Sequence, residues 1–423
     1  MNVSHNGRSA SFSAGVQLPS GSGPFPAVVV VGGFGADTAT IRSAGAAVIS
    51  YDPLAVGREG TPRSNKQGAF YSIYGSSSST GLLAAWAWGV SRIIDVLEQT
   101  GGSILRPDAT GVTGCSRYGK GAFVAGAFDQ RIALTMPVES GSAGVPIFRG
   151  IPGESGAQPL SSAYGEQPWL GDAFGSFTGN PAALPVDTHQ TVAMIAPRGL
   201  FIMENPHVDW LAARSGSVAA LAGAEVYKAL GAGDNISYWS DVQDGTHCAS
   251  RPEWRTPLQQ YIQKFLLRSG SATGVFRISS RKAGSLAEWR DWQTPVLPDG
   301  PTTPPPTTPP PTTPPPTTPP PTMAPPSGGC SASVSVNQWT GGFVATVRVT
   351  AGPTPVNGWT VAMTLPAGAA ITNVWNATRS GNSGAVQFTN VAYNGAVAPG
   401  QSTEFGFQGT GTGTGMTPTC TAR

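Results

Sequence analysis

Charge is scarce in this chain. Asp, Glu, Lys and Arg make up 11% of its 423 residues, against about 25% in an ordinary soluble protein. The formal balance is only +2, and no acidic or basic run stands out. Nucleic acid and anionic membrane surfaces are therefore not expected as partners, because both call for a concentrated positive field. Long apolar runs are missing too: none reaches the ~18 residues of a membrane span. A surface so poor in charge suits neutral or weakly charged partners such as polysaccharides. Histidine and cysteine number four each, so every one of them can be weighed singly. No secretory leader is visible, since Met1 runs straight into N-V-S-H-N-G-R-S. The Thr/Pro content and the cysteine positions nevertheless point to an extracellular protein, and a leader missing from this sequence is the expectation.

What is present in excess is proline, and it is concentrated. T-T-P-P-P repeats four times from Thr302 to Pro321. Such a repeat cannot bury a core, and dense proline fixes φ while removing backbone donors. An extended polyproline II spacer over 298–329 is expected, able to separate two bodies by up to ~90 Å at ~3.1 Å per residue. It divides the chain into a domain over 1–297, long enough for one large core, and a small one over 330–423. The spacer also makes pairing within each domain natural for the cysteines: Cys115 with Cys248, and Cys330 with Cys420. The second pair would tie together the ends of the small domain.

In the large domain, short β-branched runs alternate with helical periodicity. Strands are expected at 26–31, 46–51, 109–113, 132–137, 200–204 and 237–241. Helices are expected at 81–99, from Lys120 to Phe128, at 218–230 and at 258–267. Strand and helix in alternation mean a mostly parallel sheet covered on both faces.

Between the third strand and the second helix stands G-C-S-R-Y-G-K-G-A. A glycine-rich strand-to-helix turn around a serine is the setting of a nucleophile elbow, although the usual G-x-S-x-G is one residue longer here after Ser116. Its base must be one of four histidines. His5 lies in the ragged start of the sequence, His189 at a helix start and His207 in a loop after the 200–204 strand. His247 follows the last strand and precedes the last helix, the late position that a serine, acid, histidine order requires. Cys115 directly precedes Ser116 and Cys248 directly follows His247. A disulfide holds its Cα atoms about 5.5 Å apart, so this pairing would force the serine and the histidine together. For the acid, spacing alone leaves Glu139, Glu204 and Asp209 open.

The elbow, together with V-E-S-G-S-A-G, Y-G-E-Q-P-W-L, E-N-P-H-V-D-W-L and G-T-H-C, resembles the glucuronoyl esterases, carbohydrate esterase family fifteen, over about Val3 to Leu267. The resemblance implies an α/β-hydrolase-like three-layer fold and a triad of Ser116, Glu139 and His247, with the Cys-Ser and His-Cys pairs bridged. It implies that the Arg117 side chain joins the backbone N–H of Arg117 in stabilising the oxyanion, and that Lys120, Gln158, Glu166 and Trp210 contact the sugar. No metal or other cofactor is needed for serine ester hydrolysis. Members of that family carry several dozen residues ahead of the stretch that opens this sequence, so an inactive, truncated domain is the alternative it raises.

From Cys330 the pattern changes to period two, with Gly, Pro and Asn turns, as in a β-sandwich. N-Q-W, G-W-T, V-W-N, A-Y-N-G and F-G-F resemble family-two carbohydrate-binding modules. That match implies a platform of Trp339, Trp375 and Tyr393 for cellulose, with Trp359 in the core. The combined expectation is a secreted, monomeric serine esterase acting on glucuronoyl esters between glucuronoxylan and lignin alcohols, held on cellulose by its second domain. An acetyl xylan or feruloyl esterase is the other enzyme reading.

Overall fold

Strands buried on both faces read as unbroken apolar runs, and Phe25–Val31 is one: every residue from Pro26 onward is buried. It lies inside an eight-stranded sheet. A computed structural model describes residues 1–271, 274–295, 297, 329–339, 341–391 and 394–422, with the backbone alone for Asn337 and Trp339. The expected spacer, apart from Gly329, and Tyr393 lie outside the described residues. The chain divides into two units, Met1–Pro306 and Thr307–Arg423.

In the first unit, β1 (Asn2–His5) and β2 (Arg8–Ser11) form a separate antiparallel hairpin. The sheet is built from β3 (Ala14–Gln17), β4 (Phe25–Val31), β5 (Ala47–Tyr51), β6 (Leu105–Cys115), β7 (Ile132–Val138), β8 (Gly199–Met203), β9 (Ile236–Trp239) and β10 (Phe276–Arg277). Their spatial order is β10-β9-β8-β7-β6-β4-β5-β3, and all neighbours are parallel except β3 with β5. The helices are α1 (Thr38–Ser43), α2 (Ala69–Tyr74), α3 (Leu82–Gln99), α4 (Arg117–Phe128), α5 (Leu160–Glu166), α6 (Thr188–Ile195), α7 (Ala213–Ala229) and α8 (Pro252–Ile262). Val28 and Val30 pack with α1 and α8 on one face. Ala27, Val29 and Val31 pack with α3 and α4 on the other, as the two-residue period of a strand dictates. α6 and α7 extend that second layer over β8 and β9. This is the α/β-hydrolase arrangement. Among the described residues no helix is long and apolar enough to cross a membrane.

Three helix starts differ from the sequence expectation by three residues or more, and one is α7, which begins at Ala213 rather than Val218. α4 begins at Arg117, three residues before Lys120, because Gly114 and Gly119 let the turn close tightly; a Cβ at Gly114 would stand 2.2 Å from the Tyr118 carbonyl oxygen. α8 begins at Pro252, whose fixed φ suits the first helical turn.

The parallel order puts every strand's carboxyl end on one edge. β4 is flanked by β5 on one side and β6 on the other, so the chain reverses its direction of progress there. Such a switch point opens a crevice at that edge, and Ser116 stands at the end of β6.

The second unit is a sandwich of two four-stranded antiparallel sheets. One joins β11 (Cys330–Trp339), β12 (Gly342–Ala351), β17 (Ser402–Thr410) and β14 (Ala370–Trp375); the other joins β15 (Ala377–Ser380), β16 (Ala385–Asn390), β13 (Trp359–Thr364) and β18 (Thr419–Ala422). Phe343, Trp359, Phe388, Phe405 and Phe407 fill the interior. Cys330 and Cys420 are bridged, fastening the first strand to the last.

Candidate functional site

Ser116 sits between β6 and α4 with φ +57° and ψ −128°, a left-handed geometry that costs a non-glycine residue of order 1–3 kcal/mol. Its N–H donates to the Val138 carbonyl at 2.9 Å, and its carbonyl accepts from Lys120 N–H at 3.0 Å. One strand over, Glu139 follows β7, also at positive φ (+44°), and donates its N–H to Met203 at 2.7 Å. These backbone bonds hold both turns at the sheet edge.

The Glu139 carboxylate is fully buried. Its Oε2 accepts from His247 Nδ1 at 2.6 Å and from the Cys248 N–H at 2.9 Å. A carboxylate on Nδ1 fixes the ring tautomer and leaves Nε2 as the basic nitrogen. Cys115 and Cys248 form a disulfide with Cα atoms 5.9 Å apart, so the residues next to them, Ser116 and His247, are drawn to the same corner. Among the described residues no hydrogen bond joins the Ser116 hydroxyl to the ring; Nε2 lies 3.7 Å from Cys248 Sγ instead. Bonds of this kind commonly tighten only around substrate.

Arg251 was not foreseen from the sequence. Its side chain is 3% exposed and its Nε lies 3.8 Å from Glu139 Oε1. It also donates to the carbonyls of Asp244 and Thr246 at 3.2 and 2.8 Å. One guanidinium thus braces the loop that carries His247 and balances the buried carboxylate.

The two other acids that spacing allowed lie differently. Glu204, at the end of β8, is fully buried and touches Ser140 Oγ at 3.4 Å. Burial, reinforced by the Glu139 carboxylate, pushes its pKa up to about 8, so it is mostly a neutral acid near pH 7. Asp209 is paired with Lys282 at 3.1 Å. Neither has a hydrogen bond to His247 among the described residues.

The expected sugar-contacting residues form a linked rim. Lys120 is buried and donates to the Ser140 carbonyl at 2.5 Å; burial pulls its ammonium down to about 8, opposed by the Glu166 and Glu204 carboxylates. Gln158 Nε2 donates to Glu166 Oε2 at 2.8 Å, and Gln158 N–H donates to the Trp210 carbonyl at 3.2 Å. Trp210 is 54% exposed and meets the His247 ring edge to face at 6.1 Å. Arg117 lies 3.6 Å from Glu166 and 2.9 Å from Glu59. The rim therefore runs from the guanidinium through Glu166, Gln158 and Trp210 to the imidazole, and its outer members are open to solvent.

Cys115, Glu139, His247 and Cys248 offer donor atoms within 4.8 Å of one another. The set suits a metal ion poorly. The two sulfurs are joined to each other and carry no thiolate charge, and Glu139 Oε2 is already engaged by two N–H groups.

In the second unit Trp359 is fully buried, stacked on Phe405 at 5.2 Å, with its indole N–H on the Asn394 carbonyl. Trp375 is 38% exposed, and its ring lies against the β17 backbone: a Cβ on Gly406 would meet it at 2.3 Å. Trp339 ends β11.

Residues 1–231 match the family model described as glucuronyl esterase, fungi, and residues 330–422 match that of the cellulose binding domain. The 4-O-methyl-glucuronoyl methylesterase of Hypocrea jecorina is 40% identical over 302 residues, which make up 70% of this chain and 64% of that protein. The chain thus spans slightly less than two thirds of that relative. The solved glucuronoyl esterase catalytic domain from Hypocrea jecorina is similar with a TM-score of 0.64 at 38% identity, over 70% of this chain and 81% of that one. A glucuronoyl esterase mutant from Sporotrichum thermophile, solved in complex with methyl 4-O-methyl-beta-D-glucopyranuronate, gives a TM-score of 0.63 at 36% identity, over 70% of this chain and 80% of that one. With a hydrolase sheet, a bridged serine turn and histidine loop, and a family model spanning more than half its length, the chain belongs to the glucuronyl esterase family.

Proposed function

We propose that the first unit is a serine esterase that hydrolyses 4-O-methyl-glucuronoyl esters joining glucuronoxylan to lignin alcohols, and that the second unit holds it on cellulose. The observation that carries this reading is the His247–Glu139 bond of 2.6 Å beside an elbow serine bridged to the same loop. His247 Nε2 takes the Ser116 proton as Oγ attacks the ester carbonyl. Glu139 stabilises the imidazolium that forms. The oxyanion is met by the Arg117 N–H at the start of α4 and by the Arg117 guanidinium. The alkoxide leaves with the proton from His247, and water then releases the uronic acid by the same steps in reverse. Lys120, Gln158 and Glu166 are the donors and acceptors for sugar hydroxyls, and Trp210 is the face for the ring. The relative solved with a methyl glucuronate ester supports this substrate class. We place the protein outside the cell, as a monomer.

Benzyl glucuronate, p-nitrophenyl acetate and methyl ferulate separate the enzyme readings. Turnover of the first is expected to exceed that of the other two by at least about 100-fold in kcat/KM, which corresponds to about 2.7 kcal/mol of transition-state preference. A preference for acetate or ferulate would reject the assignment. For the second unit, Trp375→Ala is expected to weaken retention on cellulose about ten-fold, because an exposed aromatic face is worth roughly 1 kcal/mol or more against a sugar ring. Rates on soluble esters should stay unchanged. Trp339→Ala is expected to act in the same way.

A further inference from the structure

Glu59 lies in the loop after β5, far in sequence from the elbow. Its side chain is only 13% exposed, and each of its oxygens has a different partner. Oε2 accepts from Arg117 Nη1 at 2.9 Å, and Oε1 accepts from Trp169 Nε1 at 2.6 Å. Trp169 is itself fixed: it is 3% exposed, and the N–H groups of Leu82 and Leu83, at the start of α3, donate to the carbonyls of Pro168 and Trp169 at 2.8 and 3.1 Å. The indole then serves two cations, with the Arg117 guanidinium carbon 5.4 Å and Lys120 Nζ 5.2 Å from the ring centroid. A continuous series of contacts thus runs from the start of α3 through Trp169 and Glu59 to the guanidinium beside Ser116.

We infer that Glu59 is the positioning residue for Arg117, holding its guanidinium aimed at the oxyanion; this rests on the esterase reading above. A free arginine spreads over many rotamers, and a donor to a developing oxyanion contributes fully only if it needs no rearrangement during the reaction. Glu59 is better suited to this than Glu166, whose carboxylate is 39% exposed and stands at 3.6 Å. The division of labour follows: Glu59 fixes the arginine, and Glu166 stays available to the sugar. The Glu59 charge by itself weakens the positive field that Arg117 presents, so its benefit must come through position.

The test is a double-mutant cycle on benzyl glucuronate with Glu59→Ala, Arg117→Ala and both together, read as kcat and KM separately. Arg117→Ala is expected to lower kcat about 100-fold. Glu59→Ala is expected to lower it about 10-fold, with KM changed less than about 3-fold, since misplacement of a group acting in the transition state appears in kcat. The double variant should be no slower than Arg117→Ala alone, because a residue acting only through Arg117 has nothing left to position. Glu59→Gln keeps the acceptor for Trp169 and should recover part of the loss; it takes the place of Glu59→Ala in the cycle if that variant does not fold. Wild-type turnover in Glu59→Ala, or losses that multiply in the double variant, would overturn the inference while leaving the esterase reading intact. A folded wild type with no turnover of the ester would overturn both.

Discussion

Ser116→Ala is expected to abolish ester turnover, lowering kcat by roughly 10⁵-fold or more, while cellulose retention stays at the wild-type level. The loss should be purely chemical. The Ser116 hydroxyl has no hydrogen bond among the described residues, so no structural contact goes with it, and alanine meets the same strain as serine at φ +57°. The melting temperature should therefore move by no more than about 1–2 °C. Ser116→Gly should be equally inactive yet more stable than wild type by about 1 kcal/mol, because glycine relieves a left-handed backbone that the parent must sustain. Thermal melts of the three proteins, alongside benzyl glucuronate hydrolysis and pull-down on cellulose, check all of this. A Ser116→Ala protein that still turns over the ester would remove the serine from the mechanism. A destabilised Ser116→Gly would mean that the strained turn is not strained.

The elbow was legible because its constraints are local. Gly114 and Gly119 stand where a Cβ would strike backbone, 2.2 Å from Tyr118 and 2.6 Å from Val138, and strand-to-helix patterning brackets them. His247 was legible for a different reason: cysteine is rare here, and one flanks each partner. The acid was not legible from spacing. Glu139 and Glu204 both follow buried parallel strands and end at the same sheet edge, so one strand's offset decides which of them reaches the imidazole. Arg251, Trp169 and Glu59 were missed because each belongs to a loop whose neighbours are chosen by tertiary packing, and no periodicity marks them. Helix starts were set three to six residues too late where apolar patterning begins later than the backbone does, as at Arg117, Ala213 and Pro252. In the second unit, alternation was enough to mark a sandwich and the segments of β11, β12, β13 and β17 but not the other four strands, and the depth of Trp359 follows from its place at the start of β13, in the interior of the sandwich.

Glu139→Gln is expected to lower kcat by about 10⁴-fold, because an amide cannot stabilise the imidazolium as a carboxylate does. The two N–H groups on Oε2, from His247 and Cys248, would also lose a charged acceptor. Glu204→Gln should behave in the opposite way, with kcat within about 3-fold of wild type at pH 6, since burial already keeps that side chain neutral and glutamine has the same shape. Stability separates the two further. The Glu204 pKa is raised in the folded state from 4.5 to about 8, so its proton is held more tightly folded than unfolded. Its stabilising contribution is complete below pH 4.5 and is lost as pH rises toward 8, amounting to a few kcal/mol. Wild type should therefore lose melting temperature across that window, and Glu204→Gln should flatten this part of the profile. If Glu204→Gln instead lost the 10⁴-fold and Glu139→Gln kept its rate, the carboxylate at the end of β8 would be the one that serves His247, and the 2.6 Å bond to Glu139 would be a structural brace for the histidine loop.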